Sequence, residues 1–188
     1  LPASSAASDV YKRQHKGHQS FVISGGGVLV DELTQCGAKH YEIPVHIKSL
    51  RTLSLAKRLS ETISSIDPDI VHVRSRMPAW VNYRAFKMLQ KKPLLVSTFH
   101  GLYSFPIYSK VMSFVDHSIA ISKTVERYIL ENYKLDKGDI TVIPRGCDPL
   151  EFNNEVINPV DKANIIEEFP QIVGKKVLTI PGLSLIHI

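Results

Sequence analysis

Short apolar runs alternate with amphipathic stretches along most of this chain, and that alternation restricts the fold more than any other feature. Phe21–Ser24 is a strand-like run ending in Gly25, Gly26 and Gly27. Val28–Cys36 reads as a short helix stopped by Gly37, and Tyr41–Val45 as a second strand. Leu53, Ala56, Leu59, Ile63 and Ile66 recur at helical spacing through Arg51–Ile66. Asp67-Pro68 ends that helix, because proline disfavours helical geometry in the residue before it. Ile70–Val73 is the next strand, followed by a helix over Pro78–Gln90 with proline tolerated in its first turn. Leu94–Thr98 is a strand, Ile107–Phe114 is helical, and Ser118–Ile121 is a strand again. Ser122 reads as the N-cap of a helix reaching Tyr133. Lys137-Gly138-Asp139 then turns the chain into the strand Ile140–Ile143.

The strands Ile70–Val73, Leu94–Thr98, Ser118–Ile121 and Ile140–Ile143 are nearly continuous apolar runs. Strands buried on both faces of a helix-covered parallel sheet read this way. Strand–helix alternation with short connections points to an α/β fold with a doubly wound parallel sheet, Rossmann-like in kind. Polar Asn153–Lys162 reads as an inter-domain linker, and Lys175-Lys176 with Val177–Ile180 as the first strand of a second domain.

The two ends are set apart from fold reasoning, as library or expression scars should be. The codons GAT GTG TAT AAG AGA CAG encode Asp9–Gln14, within a string that opens at Ser4. Their reverse complement, CTG TCT CTT ATA CAC ATC, encodes Leu183–Ile188. One DNA element used in sequencing-library preparation, read on both strands, accounts for both termini. The expected organisation is adapter sequence at 1–14 and 183–188, a Rossmann-like domain at 15–152, a linker region at 153–174, and the start of a further domain at 175–182.

Charge and cysteine usage narrow the partners. The net charge is +5, one unit of it from Asp9, Lys12 and Arg13. This mild excess suits anionic lipid or phosphorylated partners, and serves equally as solubilising charge. No basic run is interleaved with aromatics, so nucleic acid is not an expected partner. Cys36 and Cys147 lack CxxC spacing and a histidine at zinc-site spacing, which leaves two free thiols in a reducing compartment. No stretch within 15–182 is apolar for long enough to span a membrane.

In open parallel sheets, ligands bind beyond the carboxyl ends of the strands. Arg74-Ser75-Arg76 follows the third strand, Phe99-His100-Gly101 the fourth, Ser122-Lys123 the fifth and Pro144-Arg145-Gly146 the sixth. Each basic residue taken alone reads as a solvated loop charge; basic residues delivered by four successive strands to one edge read as a cleft for anionic groups. Gly25–Gly27 lacks dinucleotide-fingerprint spacing, and no P-loop, GxSxG or HExxH occurs. His72, inside a strand, reads as a core histidine and Trp80 as packing. Tyr103, Phe105, Tyr108 and Phe114 crowd the segment after Gly101, either as core or as a lipid-facing lip.

DPDIVHVRSR, STFHG, DHSIAISKTVERYI, ITVIPRGCDPLEF and KKVLTIPG stand in the order and spacing of family 4 retaining glycosyltransferases of the GT-B fold, which the chain resembles over His15–Gly182. The likeness is nearest to members that build lipopolysaccharide or capsule. It implies two Rossmann-like domains facing across a cleft, the first holding the acceptor and the second the nucleotide sugar. It implies transfer of a hexose with retention to a lipid-linked or polysaccharide acceptor, no metal or other cofactor, and a cytoplasmic protein in peripheral contact with the inner face of the membrane. The histidine of the HG motif falls on His100, near the transferred sugar. Arg74, Ser75 and Arg76 match the acceptor-side loop, with Gly101 and Lys123 beside it. Arg145-Gly146-Cys147-Asp148 matches the family's Asn-Gly-Val-Asp, with arginine for asparagine and cysteine for valine. Arg145, Gly146 and Gly182 are the donor-side matches. Two rivals stay open: a non-catalytic Rossmann-like domain that binds a nucleotide or phosphorylated small molecule, and a nicotinamide oxidoreductase.

Overall fold

The structure is a computed structural model that describes residues 13–14, 16–103, 106–146 and 158–178. Its residues fall into two compact units, Leu1–Pro144 and Arg145–Ile188.

The first unit carries two parallel sheets. β1 (Phe21–Ser24) pairs with β2 (Lys39–Glu42), with Phe21 opposite Lys39. The second sheet has the order β3 (Ile70–Val73), β4 (Leu94–Phe99), β5 (His117–Ala120), β6 (Ile140–Val142). Its register sets Val73 opposite Ser97, Phe99 opposite Ala120, and Ala120 opposite Val142. The connecting helices are α1 (Val30–Gln35), α2 (Ala56–Ile66), α3 (Arg76–Phe86), α4 (Pro106–Ser109) and α5 (Lys123–Asn132). The α/β class with parallel strands joined by helical crossovers is the one the sequence predicts.

One core seals a single face of the second sheet. Val73, Leu95, Phe99, Ala120 and Ile140 point into it and meet Ala79 of α3, Val111 and Met112, and Val125 and Ile129 of α5. Phe99 is fully buried, worth roughly 1.5–3 kcal/mol in transfer free energy. Ser97 and Ser118 share this face, and their hydroxyls satisfy one another at 3.0 Å. A second core joins the sheets: Ile23 of β1, Ile43 and Val45 from the segment just after β2, and Val71 of β3 pack with Leu59 and Ile63 of α2 and Val81 and Ala85 of α3. Leu33 of α1 packs on Val22, the opposite face of β1.

The remaining face of the four-stranded sheet departs from the expectation of strands buried on both sides. His72, Val96, His117 and Ile119 are half-buried there and Thr141 is exposed. Its histidines are satisfied across the strands, His72 by the Thr98 hydroxyl at 2.7 Å and His117 by that of Thr141 at 2.8 Å. An apolar run and a sealed face are different things, because the run also contains the polar residues that tolerate water.

Other differences have local causes. β2 spans Lys39–Glu42 rather than Tyr41–Val45, because Gly37, at a φ of 85°, turns the chain straight into pairing with β1. The helix expected over Arg51–Ile66 opens as a tight 3₁₀ segment, Leu50–Leu55, capped by the Ser49 hydroxyl. α3 spans Arg76–Phe86 and not Pro78–Gln90, so Pro78 sits in its first turn. Asp67 ends α2 in the left-handed region, at φ 48° and ψ 56°, where its short carboxylate meets Lys91 at 2.7 Å.

In the second unit, the span read as linker holds α6 (Pro159–Glu168), with Asn158 capping the Val160 amide. Val177 and Leu178 belong to no strand, and the rest of the expected Val177–Ile180 run lies outside the described residues.

Candidate functional site

Parallel pairing brings the carboxyl ends of β3, β4 and β5 to one edge of the second sheet, and with them most of the expected site residues. Arg74 leaves β3 half-buried. Ser75 is extended and exposed, at φ −152° and ψ 159°, and its hydroxyl makes no cap bond to α3. His100 and Gly101, both half-buried, follow β4 directly. A methyl group added to Gly101 would meet nothing within 4 Å among the described residues, so open space adjoins it there. After β5, Ser122 caps α5 by accepting the Val125 amide at 3.2 Å, which leaves exposed Lys123 as the helix's first residue.

Arg76 and Lys123 thus open their helices with cations, at the end where the macrodipole is positive and favours anions. That local conflict with helix electrostatics is the kind of rule-breaking that functional sites show. Together with Arg74 and the uncapped first turn of α3, it makes this edge suited to a ligand bearing negative charge.

Arg76 does more than add charge. Its guanidinium carbon lies 5.0 Å from the Tyr103 ring centre and 5.2 Å from that of Tyr108, and Nη1 donates to the Ser109 hydroxyl at 3.4 Å. The Tyr103 hydroxyl accepts the His100 amide at 3.4 Å. Tyr128 of α5 donates its hydroxyl to the Tyr103 carbonyl. Trp80 donates Nε1 to the Tyr108 carbonyl at 2.9 Å and packs edge-on against Tyr83 and Phe114. The aromatic segment is therefore tied to the body of the fold, with Phe105 outside the described residues. Sequence reasoning missed Tyr128 and Ser109. The signal for Tyr128 was its helical spacing from Val125 and beside Ile129, the buried face of α5. Ser109 had none, since its partner comes from a different helix.

Three expectations concern the donor side. Arg145 and Gly146 begin the second unit, and a side chain at Gly146 would meet nothing within 4 Å among the described residues. Gly182, like Cys147 and Asp148, lies outside the described residues. Among the described residues, no group of three or more His, Cys, Asp or Glu is disposed to hold a metal, and no helix is long and apolar enough to cross a membrane. A cavity of about 520 Å³, lined by Leu94, Leu95, Val115 and Asp116, opens at the amino-terminal edge of β4 and β5 and contains none of the site residues.

Solved structures carry the same fold. A glycosyltransferase from Rickettsia africae ESF-5 superposes with a TM-score of 0.68 at 34% identity, covering 87% of this chain and 45% of that one. The Anabaena protein HepE, solved in complex with UDP and glucose, gives 0.64 at 15% identity over 88% of this chain and 46% of its own. The lipopolysaccharide outer core galactosyltransferase WaaB gives 0.59 at 17% identity over 75% and 41%. This chain thus spans less than half the length of each of these proteins. No curated protein matches it. The profile of Glycosyltransferase Family 4 matches residues 13–150, which takes in every strand of the first unit and the whole cationic edge, and the chain therefore belongs to glycosyltransferase family 4.

Proposed function

We propose that this chain is the acceptor-side half of an enzyme that moves a hexose from a nucleotide sugar, with retention, to a lipid-linked or polysaccharide acceptor in cell-envelope polysaccharide synthesis. The observation that carries the reading is the cationic edge of β3–β5, with Arg74, His100 and Lys123 in a family 4 fold. The names of the similar proteins support the finer terms: HepE was solved with UDP and glucose, and WaaB acts in the lipopolysaccharide outer core.

In this reading His100 contacts the reaction centre. Arg74, Ser75 and Lys123 hold the acceptor, and the open space beside Gly101 admits the sugar close to the backbone. Arg145, Gly146 and Gly182 serve the donor side. The departing nucleoside diphosphate is stabilised by placed cations. Such chemistry does not call for the carboxylate pair that glycoside hydrolysis uses.

The test is turnover with a panel of nucleotide sugars and lipid-linked acceptors, measured on the enzyme in which this chain is joined to a donor-binding half. His100→Ala is expected to lower kcat by on the order of 10²–10³. Arg74→Ala is expected to raise the acceptor KM with kcat little changed, as loss of uniform binding does, and by less at high salt. Gly101→Ala, whose methyl group would meet no atom within 4 Å among the described residues, should keep the melting temperature and impair acceptor use. Nucleotide binding without transfer to any acceptor would support a non-catalytic ligand-binding domain instead.

A further inference from the structure

Tyr103 stands at the centre of a set of contacts that converge on the turn carrying His100. Its hydroxyl accepts the His100 amide, and its ring lies 5.5 Å from that of Phe99, the last residue of β4, at 32°. Its carbonyl accepts the Tyr128 hydroxyl from α5, and the Arg76 guanidinium from α3 covers its ring. The Arg76 guanidinium also lies over the Tyr108 ring, 5.2 Å from its centre, and donates to the Ser109 hydroxyl, and Ser109 is fully buried. Three elements of the fold therefore grip one short turn. Within that turn Gly101, with open space beside it, is the residue that would otherwise leave the backbone freest to move.

We infer that Arg76 and Tyr103 are positioning residues for His100, fixing the backbone that presents the imidazole to the reaction centre. The inference rests on the reading of His100 given above. It gives Arg76 a role apart from that of Arg74: contacts with two aromatic rings and a hydrogen bond to a buried serine commit its guanidinium to the fold. A planar guanidinium can pack on aromatic faces while it donates a hydrogen bond, in a way that a lysine ammonium cannot. Placement matters because displacing a reacting group by about 1 Å lowers rates by on the order of 10².

Four variants test it: Tyr103→Phe, Arg76→Met, Arg76→Lys and Tyr128→Phe. In this chain, hydrogen exchange at the His100 amide is followed by NMR beside a melting curve. Tyr103→Phe keeps the ring and loses only the acceptor, so exchange at His100 should quicken by roughly tenfold with melting little changed, as expected of a local opening. In the enzyme joined to its donor-binding half, Tyr103→Phe and Arg76→Met should lower kcat by about 10- to 100-fold at an acceptor KM close to wild type. Arg76→Lys should fail to restore the rate, because the charge returns without the stacking plane. Tyr128→Phe should move both readouts in the same direction, and it keeps the test open should an Arg76 variant fail to fold. A raised acceptor KM at unchanged kcat in the Arg76 variants would show that Arg76 touches the acceptor and would overturn the inference. Unchanged exchange and unchanged kcat in Tyr103→Phe would overturn it as well. His100→Ala, run alongside, separates the two levels: if it leaves turnover intact, the catalytic reading of His100 falls, whereas a large loss there with silent clamp variants removes the positioning role alone.

Discussion

Tyr133 carries a hydroxyl that the fold seals in with no well-formed hydrogen bond among the described residues, and only 5% of the residue is exposed. Its ring is needed: it packs edge-on against Phe99 at 5.2 Å and Tyr128 at 6.0 Å. Burial pushes its phenol up to about 12, the neighbouring Tyr128 adding to the effect and the Ser109 hydroxyl easing it. The unfolded chain would ionise near the ordinary value of 10 while the folded one stays neutral to about 12. Across that window the unfolded state binds fewer protons, so stability falls as pH rises. Tyr133→Phe is expected to lose less stability over that range than wild type. At neutral pH it should be equal or more stable by up to about 1 kcal/mol, since an unsatisfied buried hydroxyl is removed. Urea midpoints at several pH values decide it; identical alkaline losses in the two proteins would mean that Tyr133 titrates freely.

The helices that deliver the site differ in how they begin. Ser122 bonds the Val125 amide and Ser75 bonds none of its helix. Ser122→Ala should therefore cost about 1 kcal/mol, and Ser75→Ala should stay within about 0.5 kcal/mol, as an ordinary exposed substitution does. Equal losses in chemical denaturation would contradict the distinction, and a loss of acceptor affinity confined to Ser75→Ala would place its hydroxyl on the ligand. At this scale the sequence was informative where one local rule decided the outcome. β1 and β3 fall where apolar runs put them, Ser122 caps as serine before a helix should, and α2 stops at Asp67 before Pro68. It was silent where the outcome depends on partners distant along the chain. β2 shifted because its register is set by β1, and the half-exposed face of His72 and His117 follows from which side the helices cover. The cations at the edge were legible from strand order. That Arg76 lies against two tyrosine rings was not, because those contacts join α3 to the segment after β4.

For the first unit as a whole, the acceptor-side reading has a consequence that needs no turnover. A ligand that binds the folded state and not the unfolded one stabilises it by RT ln(1 + [L]/Kd), about 2.7 kcal/mol at a hundredfold excess over Kd. For a chain of this size each kcal/mol moves the melting temperature by roughly 2–4 °C. A lipid-linked or phosphorylated saccharide of the acceptor class should therefore raise the melting temperature of this chain by about 5–10 °C near saturation, and a nucleotide sugar should raise it far less. The shift should shrink as salt rises, because exposed charge contacts are screened beyond roughly 8–10 Å at physiological ionic strength. It should also shrink in Arg74→Ala and Lys123→Ala, whose own melting temperatures stay near wild type if the two cations serve the ligand and not the fold. Pairing with acidic side chains predicts the reverse, a lower melting temperature in the ligand-free variants and an undiminished response to ligand. A nucleotide sugar that stabilises the chain while no saccharide does would assign this edge to the donor, and would exchange the roles proposed for the two halves.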